Sequence, residues 1–390
     1  MSSGQVVPAR LTQARELAGQ SKTQVSVALK VSGAAVTQWE RGVKRPTHEN
    51  LAALSGHLGV PLSLFFRDLP LALDSRGPLS FRAWQSAGTR QANRKAARLA
   101  ELTAEIFAWL NERVTLPAPV LPLPVSKQGG GPDANMDVEA AAKLTRQTWG
   151  LEERPLLKLG ELLESRGIFL SPATFGDDRF DAFSCVLGGR PFIFLGNEKR
   201  DRARSRFDAA HELGHLVLHR HLDVEKLREP AAHALAEAQA NRFASAFLLP
   251  ATTFTPDVRE TSLHGFLNLK PKWAVSVQSM VVRARELGLI SPERYGELFK
   301  QMGWRRWRQA QGEPLDDQLP AIAGAFAPKS LRLLIQAGLV QAWEVPELLG
   351  LPLPVIKAVL GLDDAELQPT PPILRPQTHS FDPELLFGLE

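Results

Sequence analysis

Three residues in the middle of this 390-residue chain have the types and spacing for metal chemistry: His211, Glu212 and His215. Residues four apart share one face of a helix, so the two imidazoles can address a single ion. Neutral imidazole suits Zn2+, and two such ligands leave room for a third and for a water. Glu212 directly follows His211 and can take the proton of that water. Zinc lowers the pKa of bound water from about 15.7 toward 7, where a carboxylate is a sufficient base. The competing reading is an amphipathic helix with coincident histidines, since so short a motif also occurs by chance. Phe207, Ala210, Leu213, Leu216, Val217 and Leu218 give the segment a wide apolar surface and predict burial. An unpaired His-Glu-His set is costly to bury, and ligation removes that cost.

A third ligand must come from another element. Residues 234–250 are rich in alanine, which favours a helix, and Ala240, Phe243, Ala244, Phe247 and Leu248 share one face of it. Glu237 stands one turn before Ala240 on that face. It is either the third ligand or an exposed first-turn carboxylate that complements the helix dipole.

Arg206, Phe207, Ala210 and the run His211 to His215, followed by Glu237, Ala240, Asn241, Phe243, Ala244, Leu248, Leu249 and Pro250, resemble the ImmA/IrrE family of zinc metallopeptidases. The resemblance implies a zincin-like domain in which His211, His215 and Glu237 hold Zn2+ and Glu212 is the general base. Phe247 stands where the family has leucine, an apolar exchange that leaves the ligands untouched.

The elements around this motif follow from pattern. Helices are expected over 137–149 and 155–166, then a strand at 168–170. Two β-rich runs, 181–187 and 190–195, flank Gly188 and Gly189 and predict a hairpin. Either hairpin strand is a candidate edge for pairing with an extended substrate, against the alternative of a covered structural hairpin. Tyr295 is the only tyrosine and is distant in sequence. A donor to an oxyanion is therefore sought among His219, His221 and His233, each of which also reads as an ordinary surface or core histidine.

The first fifth is a series of short helical patterns over 8–66. Thr23 precedes a second helix, Ser32 caps a third, Gly42 ends it and Gly59 closes a fourth. The third helix presents Gly33, Ala34, Thr37 and Gln38 on its leading face, small enough to approach base edges, with Gln38 able to pair with adenine. Val36 and Trp39 face the core. Lys44 and Arg45 are placed for phosphates. The alternative is a helical protein-interaction bundle with the same core. Thr23, Gln24, the run Val36 to Gly42, Pro46 and the run Leu58 to Val60 resemble the XRE, or phage-repressor-like, helix-turn-helix family. The resemblance implies contacts to double-stranded operator DNA through Gln24, Ser32, Gly33, Ala34, Thr37, Gln38, Lys44 and Arg45. Val27 and Ala28 replace its usual Leu-Ala pair and are expected to tilt the second helix.

Between the two motifs, Arg76, Arg82, Arg90, Arg94, Lys95 and Arg98 make a basic stretch free of acids over 75–100. It is either a phosphate-tracking arm or a solvated helix face. A proline run at 116–124 and a glycine loop at 126–133 read as a hinge. In the last third, the segment around Lys270 and Trp273 is either packing or a second binding element. Trp304 to Arg308 is a basic, aromatic stretch, and 339–360 is patterned like a degenerate helix-turn-helix.

The apolar fraction of 44% fits a globular protein. No apolar run is long enough to span a membrane, and no signal core opens the chain. The single Cys185 excludes an intramolecular disulfide and a multi-cysteine zinc site. A net charge of +4 permits nucleic-acid binding without demanding it. The expected fold is α+β and mostly helical: a five-helix head over 1–70, a basic helix and Pro/Gly linker over 71–134, a peptidase domain with a small β-sheet over 135–258, and a helical region over 259–390. The expected protein is cytoplasmic, a DNA-binding regulator with a zinc endopeptidase whose substrate is a regulatory protein such as another helix-turn-helix repressor. A homodimer stays open. The alternative is a non-proteolytic repressor or antitoxin-like protein with a structural or silent metal site.

Overall fold

The computed structural model describes residues 4–69, 90–122, 131–174, 181–196, 201–307 and 312–368. The head comprises α1 (Pro8–Leu17), α2 (Lys22–Ala28), α3 (Gly33–Glu40), α4 (His48–Leu58) and a closing 3-10 turn (Leu62–Phe66). Ser21, Ser32 and Thr47 each accept a main-chain N–H at the start of a helix, at 3.1–3.2 Å, satisfying donors that the helix itself leaves orphaned. Val36 and Trp39 are buried with Val25, Leu51 and Leu54, as their spacing predicts. The second helix departs from expectation. It starts at Lys22 rather than after Thr23, and its buried pair is Val25 and Ser26, while Val27 is 73% exposed. Val27 and Ala28 are both exposed and so take no part in the head core.

The body begins with α5 (Arg90–Asn111), α6 (Val138–Thr148), α7 (Leu159–Ser165), β1 (Phe169–Ala173), β2 (Ala182–Leu187), β3 (Arg190–Gly196) and α8 (Arg202–Leu218). It continues with α9 (Val224–Leu227), α10 (Pro230–Leu248), α11 (Ala251–Asp257), α12 (Leu263–Trp273), α13 (Val277–Glu286) and α14 (Pro292–Trp304). A last bundle holds α15 (Phe326–Gln336), α16 (Val345–Leu349) and α17 (Leu353–Leu360). The fold is α+β and mostly helical, as expected, and among the described residues no helix is long and apolar enough to cross a membrane.

The strand order is β1-β3-β2, with β1 parallel and β2 antiparallel to β3. Gly188 and Gly189 join β2 to β3 with φ of 56° and 74°, the left-handed pair that a two-residue hairpin requires. Alternate strand residues serve two cores. Phe169, Phe183, Phe192 and Phe194 face α5 and the last bundle, whereas Leu170, Ala182, Ile193 and Leu195 belong to a second cluster with α8, which packs on β2 and β3. Because β3 is central, it offers no free edge. Of the two hairpin strands only β2 is an outer one, which corrects the expectation that either could pair with substrate.

On helix α5, Arg90 and Arg94 are exposed, as a solvated face would have them, whereas Arg98 pairs with Glu16 at 2.9 Å and Glu101 at 2.6 Å. On the head side, buried Arg10 meets Glu105 at 2.6 and 2.9 Å, and Gln13 donates to Glu101. On the body side, Phe107 lies 4.6 Å from Phe169 and 5.2 Å from Phe192. One apolar cluster thus runs from Leu11 and Trp39 through Leu102 and Phe107 to Leu331 and Ile356. Arg76 and Arg82 lie outside the described residues.

The described part of the proline run is pinned to the body, not hinged. Val120 N–H donates to Arg166 O at 3.0 Å, Trp149 Nε1 donates to Val120 O at 2.7 Å, and Arg220 donates to Pro122 O at 2.6 Å. Most of the glycine loop, Arg308 and the tail beyond 368 lie outside the described residues. Lys270, Trp273, Val275 and Val277 are buried, so that segment is packing. Of the two nearby tryptophans, Trp307 packs on the core and Trp304 is 81% exposed. Residues 339–360 form α16, α17 and a 3-10 turn before them.

Candidate metal centre

Helix α8 is fixed at its start by two carboxylates. Asp201 accepts from Arg204 N–H at 2.8 Å, and Asp316 accepts from the N–H groups of Arg202 and Ala203 at 2.6 and 3.0 Å. Buried Lys270 lies 3.4 Å from Asp316 and 3.2 Å from Glu313. Glu313 in turn caps α13 through Val277 and Gln278. In its middle, α8 crosses α10 closely at Gly214. A Cβ there would lie 3.1 Å from the Phe243 ring and 3.2 Å from the Ala240 main chain. Only glycine fits without displacement of its neighbours. This crossing sets Glu237, one turn before Ala240, opposite His211 and His215.

The three side chains converge. His211 Nε2 and His215 Nε2 are 3.0 Å apart, and they lie 3.5 and 3.2 Å from the Glu237 carboxylate oxygens. All three candidate ligand atoms lie within 4.8 Å of one another. A tetrahedral zinc with bonds of about 2.0–2.1 Å holds its ligand atoms roughly 3.4 Å apart, so the donor set fits such an ion in both chemistry and spacing. Burial pushes the His215 imidazole down to about 3, which keeps it neutral, as ligation requires.

Outer partners orient the ring nitrogens. His211 Nδ1 lies 3.0 Å from Asn241 Oδ1, one turn beyond Glu237 on α10. His215 Nδ1 lies 3.0 Å from His219 Nδ1, and His219 Nε2 lies 3.0 Å from Gln239 Oε1. Gln239 donates through Nε2 to the Asp133 carbonyl at 2.7 Å. His219 is therefore committed to His215 and is no oxyanion donor. Tyr295 packs on Phe299 at 4.5 Å between ring centroids.

Glu212, the residue after His211 on α8, is fully buried. Its Oε2 accepts from Ser184 Oγ on β2 at 2.8 Å. Next to Ser184, the Cys185 thiol is pushed well up by burial and by the Glu212 carboxylate, so it is no nucleophile. Ser184 and Gln239 escaped the sequence reading, and Asn241 entered it only as part of the family pattern, without a role. For Asn241 and His219 a signal existed: Glu237 and Asn241 are four apart, and His211, His215 and His219 form an i, i+4, i+8 stripe.

In the head, Gln24, Ser32, Gly33, Ala34, Lys44 and Arg45 are exposed, and Thr37 and Gln38 are half-buried. Gln24 Oε1 accepts from Ser21 N–H at 2.8 Å, so its side chain closes a capping box. Lys30, at φ 54°, turns α2 toward α3. Buried Arg15 pins α1 to Glu40 of α3 at 2.5 Å.

Residues 11–65 match the family model of the helix-turn-helix, and residues 164–285 match that of the IrrE N-terminal-like domain, a peptidase family. The chain therefore joins a helix-turn-helix head, which supports DNA binding, to a metallopeptidase-like segment, as the sequence resemblance implied. A search of curated proteins finds no match.

Proposed function

We propose that this protein is a DNA-binding transcriptional regulator with a zinc-dependent endopeptidase that cleaves a regulatory protein. The observation that carries the peptidase reading is the convergence of His211 Nε2, His215 Nε2 and the Glu237 carboxylate oxygens within 3.0–3.5 Å, with Glu212 the next residue after His211 on α8. A zinc ion held by those three would polarise a scissile carbonyl and lower the pKa of water. The work of the chain is to hold and move the proton. Glu212, fixed through Oε2 by Ser184, accepts it from water and returns it to the leaving amine. The outer strand β2 supports an extended substrate beside Glu212 by main-chain pairing. The exposed start of α3, with Ser32, Gly33, Ala34, Thr37 and Gln38, supports docking in a DNA major groove, flanked by Lys44 and Arg45 at the phosphates.

The complete burial of Glu212 favours a second reading, a non-proteolytic repressor whose metal is structural. Glu212→Gln separates the two. It keeps the size of the side chain and the contact to Ser184 but removes the base. Zinc content and DNA binding are expected to stay at wild-type level, while cleavage of co-expressed neighbouring regulators, read by immunoblot, falls by at least about 10²-fold. Undiminished cleavage removes the catalytic role of Glu212. Absence of cleavage by the wild type across candidate partners favours the second reading.

A further inference from the structure

The ring nitrogens of His215 and His219 are 3.0 Å apart through Nδ1 of each. Two imidazole nitrogens at that distance need one proton between them, and the rest of the chain of contacts dictates which ring carries it. The carbonyl of Asp133 accepts only. It therefore takes an N–H of the Gln239 amide, at 2.7 Å, and turns Gln239 Oε1 toward His219. That oxygen is again an acceptor, so His219 Nε2 must carry the hydrogen. A neutral His219 then has its lone pair on Nδ1 and accepts from His215 Nδ1–H. The lone pair of His215 is left on Nε2, the atom that faces His211 and Glu237.

We propose that His219 is a positioning residue for the metal centre: with Gln239 it forms a one-directional chain from the Asp133 carbonyl that locks His215 in the ligand-competent tautomer. This rests on the reading of His211, His215 and Glu237 as the metal site. It gives a function to a buried polar pair that the peptidase chemistry does not otherwise use. It also ties the centre to the main chain at the end of the glycine loop, 106 positions from Gln239. His211 has a separate and shorter support in Asn241.

Two measurements on the full-length protein test it. Nitrogen-15 spectra of the imidazoles in the zinc-loaded protein are expected to show His219 as the Nε2–H tautomer and His215 protonated at Nδ1. The opposite tautomer at His219 overturns the proposal. Zinc affinity is then measured by competition with a chromophoric chelator, using variants whose metal-free forms keep the wild-type circular dichroism. His219→Phe and Gln239→Leu should each weaken binding by about 10–100-fold, the usual scale for outer-shell partners. Combined, they should weaken it no further, because they cut one chain. Asn241→Leu should add to either. A purely structural role for His219 predicts neither this pattern of additivity nor the tautomer. Wild-type affinity in both single variants, or full additivity between His219→Phe and Gln239→Leu, rejects the chain. A folded wild-type protein that binds no zinc rejects the metal centre itself, and the proposal with it.

Discussion

The hydroxyl of Ser184 donates to Glu212 Oε2 at 2.8 Å, and both side chains are buried. A hydrogen bond to a charged group contributes about 1.5–3 kcal/mol, so Ser184→Ala is expected to slow proteolysis by about 10- to 10²-fold. Its zinc content, measured by mass spectrometry of the metal, should not change, because the Ser184 hydroxyl bonds to Glu212 and not to one of the three converging side chains. Cleavage at the wild-type rate in a co-expression time course would show that Glu212 needs no such support.

Glu237 and Glu225 provide a paired test of the metal site. Glu225 is exposed and pairs with Arg228 at 2.6 Å, whereas Glu237 faces both imidazoles. After dialysis, Glu237→Ala should lose the metal, and Glu225→Ala should retain one zinc per chain. Full retention by Glu237→Ala rejects the assignment.

On the DNA side, Gln38→Ala should cost about 1–3 kcal/mol at the cognate operator and less on random duplex. Lys44→Ala should weaken both and reduce the salt slope by about one unit. Titrations against the protein's own promoter region at several salt concentrations measure both. If neither variant differs from wild type, α3 is not the reading helix.

The Arg10–Glu105 pair joins the head to α5, with the Arg10 side chain fully buried. Breaking a buried pair from one side costs about 3–5 kcal/mol. Glu105→Ala should lower stability to urea on that scale, whereas Glu112→Ala, an exposed change on the segment just beyond α5, should stay within about 0.5 kcal/mol of wild type. Equal urea midpoints for the two variants would mean that the joint carries no such energy.

What the sequence revealed of this site followed the range of its signals. His211, Glu212 and His215 were legible because their geometry is set within one helix. Glu237 was legible as a carboxylate on an apolar face, and the hairpin was legible from Gly188 and Gly189. Ser184 was not, because it meets Glu212 across 28 positions and a serine in a strand has no periodic mark. The Arg10–Glu105 contact spans 95 positions and was equally silent. The contacts of Val120 and Pro122 with Arg166, Trp149 and Arg220 are silent for the same reason, so the proline run read as a hinge. The start of α2 differs for another reason: Thr23 was legible as a start, but it is Ser21, in a capping box with Gln24, that opens the helix.

The shared core of head, α5 and sheet has a spatial consequence. Freeing the head together with α5 from the sheet would strip partners from Phe107, Phe169 and Phe192, at about 1.5–3 kcal/mol for each large side chain exposed. An operator that grips α3 therefore also fixes the bearing of His211 and Glu212 along the double helix. On the proposed function, cleavage then has an address. A repressor seated on neighbouring DNA meets the site at an effective concentration set by the spacing of the two operators, while the same repressor free in solution must find it by diffusion. Moving one operator by half a helical turn would carry its occupant to the opposite side of the duplex, out of reach, with no residue of either protein changed.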